Sequence, residues 1–196
     1  MQMIVLVKHS LPEIDSTVPA NEWHLSREGR VRSQILAEKL VQYDLDVIVS
    51  STEPKAVETA EISARFLKTP VEVVDGLQEH ERCNVGFLEK ERFEESIGRF
   101  FSRPTEFIFG EETADTAYNR FSKAVYELSD RFPQANLALI THGTVLSLFV
   151  SRISALEPFA LWKQLGLPSW IVLSRPDFGV VETCWSVEGG DDHAVV

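Results

Sequence analysis

Short runs of β-branched and aliphatic residues recur along this chain, each separated from the next by a longer stretch with helical periodicity. The strand candidates are MIVLVK, DVIVSS, VEVVDGL and NLALITH, followed by SWIVLS and GVVETCWSV. Parallel neighbours need a crossover of a dozen or more residues, which a covering helix supplies. The alternation therefore predicts an α/β fold with a mainly parallel sheet covered on both faces. At 196 residues the chain is read as one domain over 1–196, long enough to bury a substantial core.

The intervening segments carry helix signals. LSREGRVRSQILAEKLVQY has an N-cap in Ser26 and a stripe of Leu36, Ala37, Leu40 and Val41. In EPKAVETAEISARFLK, Pro54 suits a first helical turn, while Val57, Ala60, Ala64 and Leu67 share a face. Ala117, Phe121, Ala124, Val125, Leu128 and Phe132 mark another stripe, and GTVLSLFVSRIS reads as a buried helix directly after the fourth strand. PFALWKQL is a further helix, closed by Gly166 and Pro168. The segment 80–112 breaks the pattern and is rich in Phe. EKERFEESIGRFF would turn Phe93, Ile97, Phe100 and Phe101 inward, so this stretch is read as a cap inserted over one sheet edge, or equally as plain core filler. The tail EGGDDHAVV is expected to be loosely ordered.

A formal charge of −11 disfavours nucleic acid and anionic membranes as partners, because both require clustered Lys and Arg. No apolar run approaches the roughly 20 residues of a membrane span, and MQMIVLVK lacks the features of a secretory signal. A cytoplasmic location is expected. Cys83 and Cys184 form no CxxC pair and read as unpaired thiols.

Open parallel sheets bind ligands beyond the carboxyl ends of their strands. Here the first strand ends in Lys8-His9 and the second leads through Ser50-Ser51 to Lys55. The third leads to Glu79-His80, and the fourth ends in Thr141-His142-Gly143. Taken singly, each histidine could be structural and each charge a solvated one. Together they supply a nucleophile, cations and a proton carrier at one edge. Helices starting near Pro54 and at Gly143 add unpaired amides suited to an anion. No GxGxxG follows the first strand and no GxxxxGK[ST] occurs, so a phosphoryl group would not be held as in a dinucleotide or P-loop site.

Lys8-His9-Ser10, SSTEPKAVETA, LQE, GEET and HGTVL occur in that order. The chain thereby resembles the histidine phosphatase superfamily, also called phosphoglycerate mutase-like, whose motifs read Arg-His-Gly, SSxxxRAxxTA, Leu-x-Glu, Gly-Glu-Ser and HGxxL. The resemblance implies a three-layer α/β/α sandwich with a largely parallel six-stranded sheet containing one antiparallel strand. It implies a phosphatase acting through a phosphohistidine on His9, with His142 supporting the equatorial oxygens and Glu79 as proton carrier. Lys8, Lys55, Ser10, Gly143 and Arg82 are the candidate phosphate-binding residues. No cofactor or metal is expected, since EHER lacks the HExxH spacing.

Departures from the family pattern fall at the phosphate. Lys8 and Lys55 stand where the family has arginines, keeping charge but losing the bidentate fork. Ser10 replaces a glycine, and Asp15 falls near the family's asparagine, where an inward carboxylate would repel phosphate. Arg82 or His80 would restore positive charge. The expected partner is a small phosphorylated substrate or a phosphoprotein, with oligomeric state open. Two alternatives stand beside hydrolysis: a phosphate-ligand binding or regulatory module, and a phosphoglycerate mutase.

Overall fold

The structure, a computed structural model, describes residues 2–187. The strands are β1 (Met3–Lys8), β2 (Val47–Ser50), β3 (Val71–Val73), β4 (Leu137–Thr141), β5 (Ser169–Ser174) and β6 (Val180–Cys184). They form one six-stranded sheet in the order β3-β2-β4-β1-β5-β6. β3, β2, β4 and β1 pair in parallel, whereas β5 runs antiparallel to both β1 and β6. One strand is therefore reversed in an otherwise parallel sheet, as the resemblance implied.

Period-2 geometry sends successive side chains of a strand to opposite faces. Ile4 and Leu6 enter one core with Val49, Leu139 and Ile171, while Val5 and Val7 enter a second with Ile48, Ala138, Ile140 and Trp170. Burial on both faces explains why β1 and β4 read as unbroken apolar runs. Helices α1 (Arg27–Leu40) and α2 (Pro54–Leu67) cover the second face. The first is covered by α3 (Lys90–Ser102), α4 (Ala114–Arg131), α5 (Gly143–Ser154) and α6 (Pro158–Gln164). The tail EGGDDHAVV lies outside the described residues.

Local signals account for most boundaries. The Ser26 hydroxyl accepts from the Gly29 amide to cap α1, and Thr113 accepts from Thr116 to cap α4. Val41 departs from the expected stripe, being 53% exposed, because α1 ends at Leu40 and the chain tightens there into a 3-10 turn. In α2 the expected Ala60 and Ala64 are buried, joined by Ala56, Thr59 and Ser63, while Val57 and Leu67 are only partly so. In α3, Phe93, Ile97, Phe100 and Phe101 all enter the first core.

Two close approaches fix the loops that run toward the strand ends. A Cβ on Gly29 would lie 2.0 Å from the Leu11 carbonyl oxygen, so the loop after β1 is pressed onto the first turn of α1. Gly110 has φ of +87°, and a Cβ there would meet the Glu81 carbonyl oxygen at 2.4 Å and the His80 ring at 2.8 Å.

Candidate active site

His9 and His142 follow β1 and β4, adjacent parallel strands in register through Lys8 and Thr141. Their rings meet with centroids 5.0 Å apart at 59°. His9 is 4% exposed and His142 0%. The Nδ1 of His9 lies 2.7 Å from the Ser10 carbonyl oxygen. A carbonyl only accepts, so Nδ1 carries the proton and the lone pair of the neutral ring is on Nε2. Burial, then the nearby His142, Lys55 and Lys8, hold the His9 pKa well below its ordinary value against the opposing Ser10 carbonyl. The ring is thus neutral and oriented.

His142 differs in its partners. Its Nε2 lies 2.7 Å from the Ser51 hydroxyl and 3.4 Å from a Glu53 carboxylate oxygen, while Nδ1 has no protein partner. Burial again lowers its pKa, with Lys55 adding to the effect and Glu79 opposing it.

The cations are held unequally. Lys8 donates to the Leu165 carbonyl at 2.8 Å, and burial draws its pKa down to about 8 against the attraction of Glu79. Lys55 donates to the Ala20 carbonyl and to Glu53, both at 2.5 Å. Arg82 carries a buried guanidinium nitrogen, Nη1, with no hydrogen-bond partner, and its guanidinium lies 5.0 Å over the Phe93 ring. An orphaned buried donor of this kind suits an anion. Lys8, His9, Lys55, Glu79, Arg82, His142 and Gly143 together line a narrow space of about 20 Å³, closed by Ala20 and Trp162.

Glu79 also caps the start of α5. Its carboxylate accepts from the Thr144 and Val145 amides at 3.1 and 3.3 Å, the first turn of α5, and from the His80 amide at 2.9 Å. Burial pushes its pKa up, but Arg82, His142 and these amides outweigh burial and leave it below the ordinary carboxylate value. In this state Glu79 is ionised, so any proton it donates must first be gained from a ligand.

Three expected site residues are placed differently. The Ser10 hydroxyl donates to the Gly29 carbonyl at 2.7 Å and its amide to Thr59 at 3.1 Å. Neither group is free for phosphate; the Ser10 carbonyl instead orients His9. The Asp15 carboxylate is bonded to the amide and hydroxyl of Thr17 in an exposed turn and does not line the narrow space. His80 is buried between Phe100 and Phe109, with ring centroids at 4.1 and 4.8 Å, and burial lowers its pKa to about 4. It supplies no cation to the site.

Two acidic and basic partners went unread in the sequence. Glu53 bonds Lys55, approaches His142 and accepts from the Glu79 amide at 2.8 Å, tying three strand ends together. Arg120, on α4, donates to the carbonyls of Gly76, Gln78 and Glu79 and pairs with Glu112 at 2.6 Å. Glu112 in turn accepts from the Glu81 amide at 2.9 Å. The GEET stretch thus braces the loop carrying Glu79. An acidic residue directly before Pro54 was the one available signal for Glu53; Arg120 had none.

Buried paired imidazoles among cations and helix amide ends define a centre for anionic, phosphoryl-like ligands. The model of the histidine phosphatase superfamily (branch 1) matches residues 4–186, and the chain belongs to that superfamily. It is 23% identical over 134 residues to an uncharacterized phosphatase, PhoE, of Bacillus subtilis (strain 168); the match covers 68% of this chain and 66% of that relative, just under two thirds of its length. Among solved structures, a mutant phosphoserine phosphatase from Entamoeba histolytica in complex with phosphoserine superposes with a TM-score of 0.77 at 16% identity, over 100% of both chains. A mycobacterial glucosyl-3-phosphoglycerate phosphatase does so with a TM-score of 0.74 at 19% identity, over 93% of this chain and 96% of that one. These likenesses establish the phosphoglycerate mutase-like fold.

Among the described residues no group of three His, Cys, Asp or Glu side chains is placed to hold a metal ion, and no helix is long and apolar enough to cross a membrane.

Proposed function

We propose that the protein is a phosphomonoester hydrolase working through a phosphohistidine on His9. The observation carrying this reading is the state of His9: neutral, with Nδ1 held by a carbonyl and Nε2 left as the nucleophilic nitrogen beside His142. The family and its phosphatase relatives support the same reaction class.

In the proposed reaction His9 Nε2 attacks phosphorus and the bond to the ester oxygen breaks. The leaving oxygen takes a proton from Glu79, which gains it from a monoanionic phosphate on binding. Water then attacks the phosphohistidine, Glu79 accepts its proton, and inorganic phosphate leaves with His9 restored. Arg82 supplies the planar guanidinium that Lys8 and Lys55 lack. Its unpartnered nitrogen and its place on the narrow space support that role. His142, with Nε2 against Ser51 and Glu53, turns Nδ1 toward the phosphate oxygens and is protonated as negative charge arrives. None of these steps calls on a metal.

The test is a panel of phosphorylated metabolites and phosphopeptides incubated with the wild type and with His9→Ala. Phosphate release by the wild type alone, with an acid-labile phosphoenzyme trapped by rapid quench, is the expected result. Turnover surviving in His9→Ala would overturn the reading. Phosphate moving to an acceptor phosphoglycerate in place of water would make the protein a mutase.

A further inference from the structure

A cavity of about 410 Å³ opens beside the catalytic space, within the size range of small-molecule sites. It lies between the loop after β1 and the segment leading into α3. Ile14, Val18, Trp23, Val85, Phe87 and Phe93 give it an apolar wall, and the exposed Glu89 and Lys90 add one charge of each sign. Ala20 and Arg82 line both this cavity and the narrow space around His9, so the two are joined at the proposed phosphate. We propose that this cavity receives the leaving group, and that the substrate is the phosphate ester of an uncharged aromatic or aliphatic alcohol. The proposal rests on the phosphatase reading above.

Three observations carry it. First, the other exit from the catalytic space is a cavity of about 300 Å³ lined by four carboxylates, Glu53, Glu79, Glu81 and Glu111, against two cations, Lys55 and Arg82, of which Lys55 is already bonded to Glu53. With a formal charge of −11 on the chain, a leaving group bearing its own carboxylate is repelled there. Second, Ile14 and Phe87 are 51% and 50% exposed at the apolar cavity, although the cores have no need of them. Large side chains left in water beside a catalytic cleft fit an apolar ligand. Third, the wall is built in advance of any ligand. The Trp23 indole donates to the Asp15 carbonyl at 2.8 Å and to the Val18 carbonyl at 3.3 Å, holding the loop in place. The Arg82 guanidinium, stacked over Phe93, sits where phosphate meets apolar wall.

The geometry therefore separates this protein from phosphatases of phosphoserine or phosphoglycerate esters, whose leaving groups carry carboxylates. Binding to His9→Ala, which cannot turn over, isolates recognition from chemistry. Calorimetry with 2-naphthylmethyl phosphate, O-phosphoserine and inorganic phosphate should show the naphthylmethyl ester binding at least tenfold more tightly than either of the others. Phe87→Asp and, separately, Val18→Asp in the same background should cut the ratio of naphthylmethyl ester to inorganic phosphate affinity about tenfold. Phe87 is half-exposed, so its replacement leaves the cores intact. Equal affinity for all three compounds, tighter binding of phosphoserine, no binding, or a ratio unmoved by both substitutions would overturn the proposal. These outcomes are independent of turnover. Wild-type protein that binds the naphthylmethyl ester yet forms no phosphohistidine would defeat the phosphatase reading and leave the cavity assignment standing.

Discussion

The ends of β1 and β4 and the loop over residues 80–89 face the same cleft but are built in opposite ways. Lys8, His9 and His142 are buried: Lys8 and His142 are fixed by a carbonyl and a hydroxyl from other parts of the fold, and His9 by the carbonyl of the next residue. The loop has no regular structure, and it exposes Cys83 and Phe87 while bringing Arg82 over the site. Chemistry demands positions held within fractions of an ångström, which a sheet edge provides. Selection of a substrate tolerates, and exploits, a looser frame. The contrast extends to charge. The buried lysines are already bonded to protein groups, whereas the loop arginine keeps an unpartnered nitrogen.

That contrast breaks most sharply at His9. His9→Ala should lower kcat by about 10⁴-fold or more and abolish phosphoenzyme in rapid-quench experiments. Activity within tenfold of the wild type would place the nucleophile elsewhere. Arg82→Ala should cost about 100-fold in kcat/KM, with Arg82→Lys recovering only part. A smaller loss than in Lys55→Ala would return the phosphate clamp to the strand ends.

Glu53→Gln sharpens the comparison further, because it removes the anion binding Lys55 inside the rigid half. Leaving a buried lysine unpaired costs about 3 kcal/mol, readable as a lower urea midpoint, and kcat should fall about tenfold as His142 loses its carboxylate neighbour. An unchanged midpoint would mean that Lys55 finds water.

The last prediction concerns acid stability. His80 has a folded pKa of about 4, below its unfolded value of about 6.5. Under pH 6.5 the unfolded chain therefore binds more protons than the native one, and stability is lost as pH falls through the window from 6.5 to 4. The full contribution is roughly 3 kcal/mol, with His9 and His142 acting in the same direction. His80→Leu should flatten this slope in urea titrations at pH 7.5, 5.5 and 4.5 by about that amount. An identical slope would show that the Phe100 and Phe109 cage opens to water before the ring is protonated.

Much of the rigid half could be read from the chain, and the loop half could not. Two-sided burial writes itself as uninterrupted aliphatic strands, and Ser26 announces the start of α1 by its chemistry. The paired histidines were legible because parallel strands must end at a common edge. The ties among Glu53, His142 and Glu79 were not, since they join residues 26 and 89 positions apart through contacts that only the folded sheet creates. Arg120 reaches its loop from α4 for the same reason. The directions of Ser10 and Asp15 could not be read because a sequence gives no side-chain direction in an irregular loop. Local hydrogen bonding to Gly29 and Thr17 decided both.

The acceptor that selects the His9 tautomer belongs to the peptide backbone at position 10. No codon change at that position can delete a main-chain oxygen, so the setting of the proposed nucleophile is sheltered from ordinary genetic drift. A lineage is then free to exchange the side chain there, as the serine in place of the family's glycine illustrates, while inheriting an unaltered imidazole.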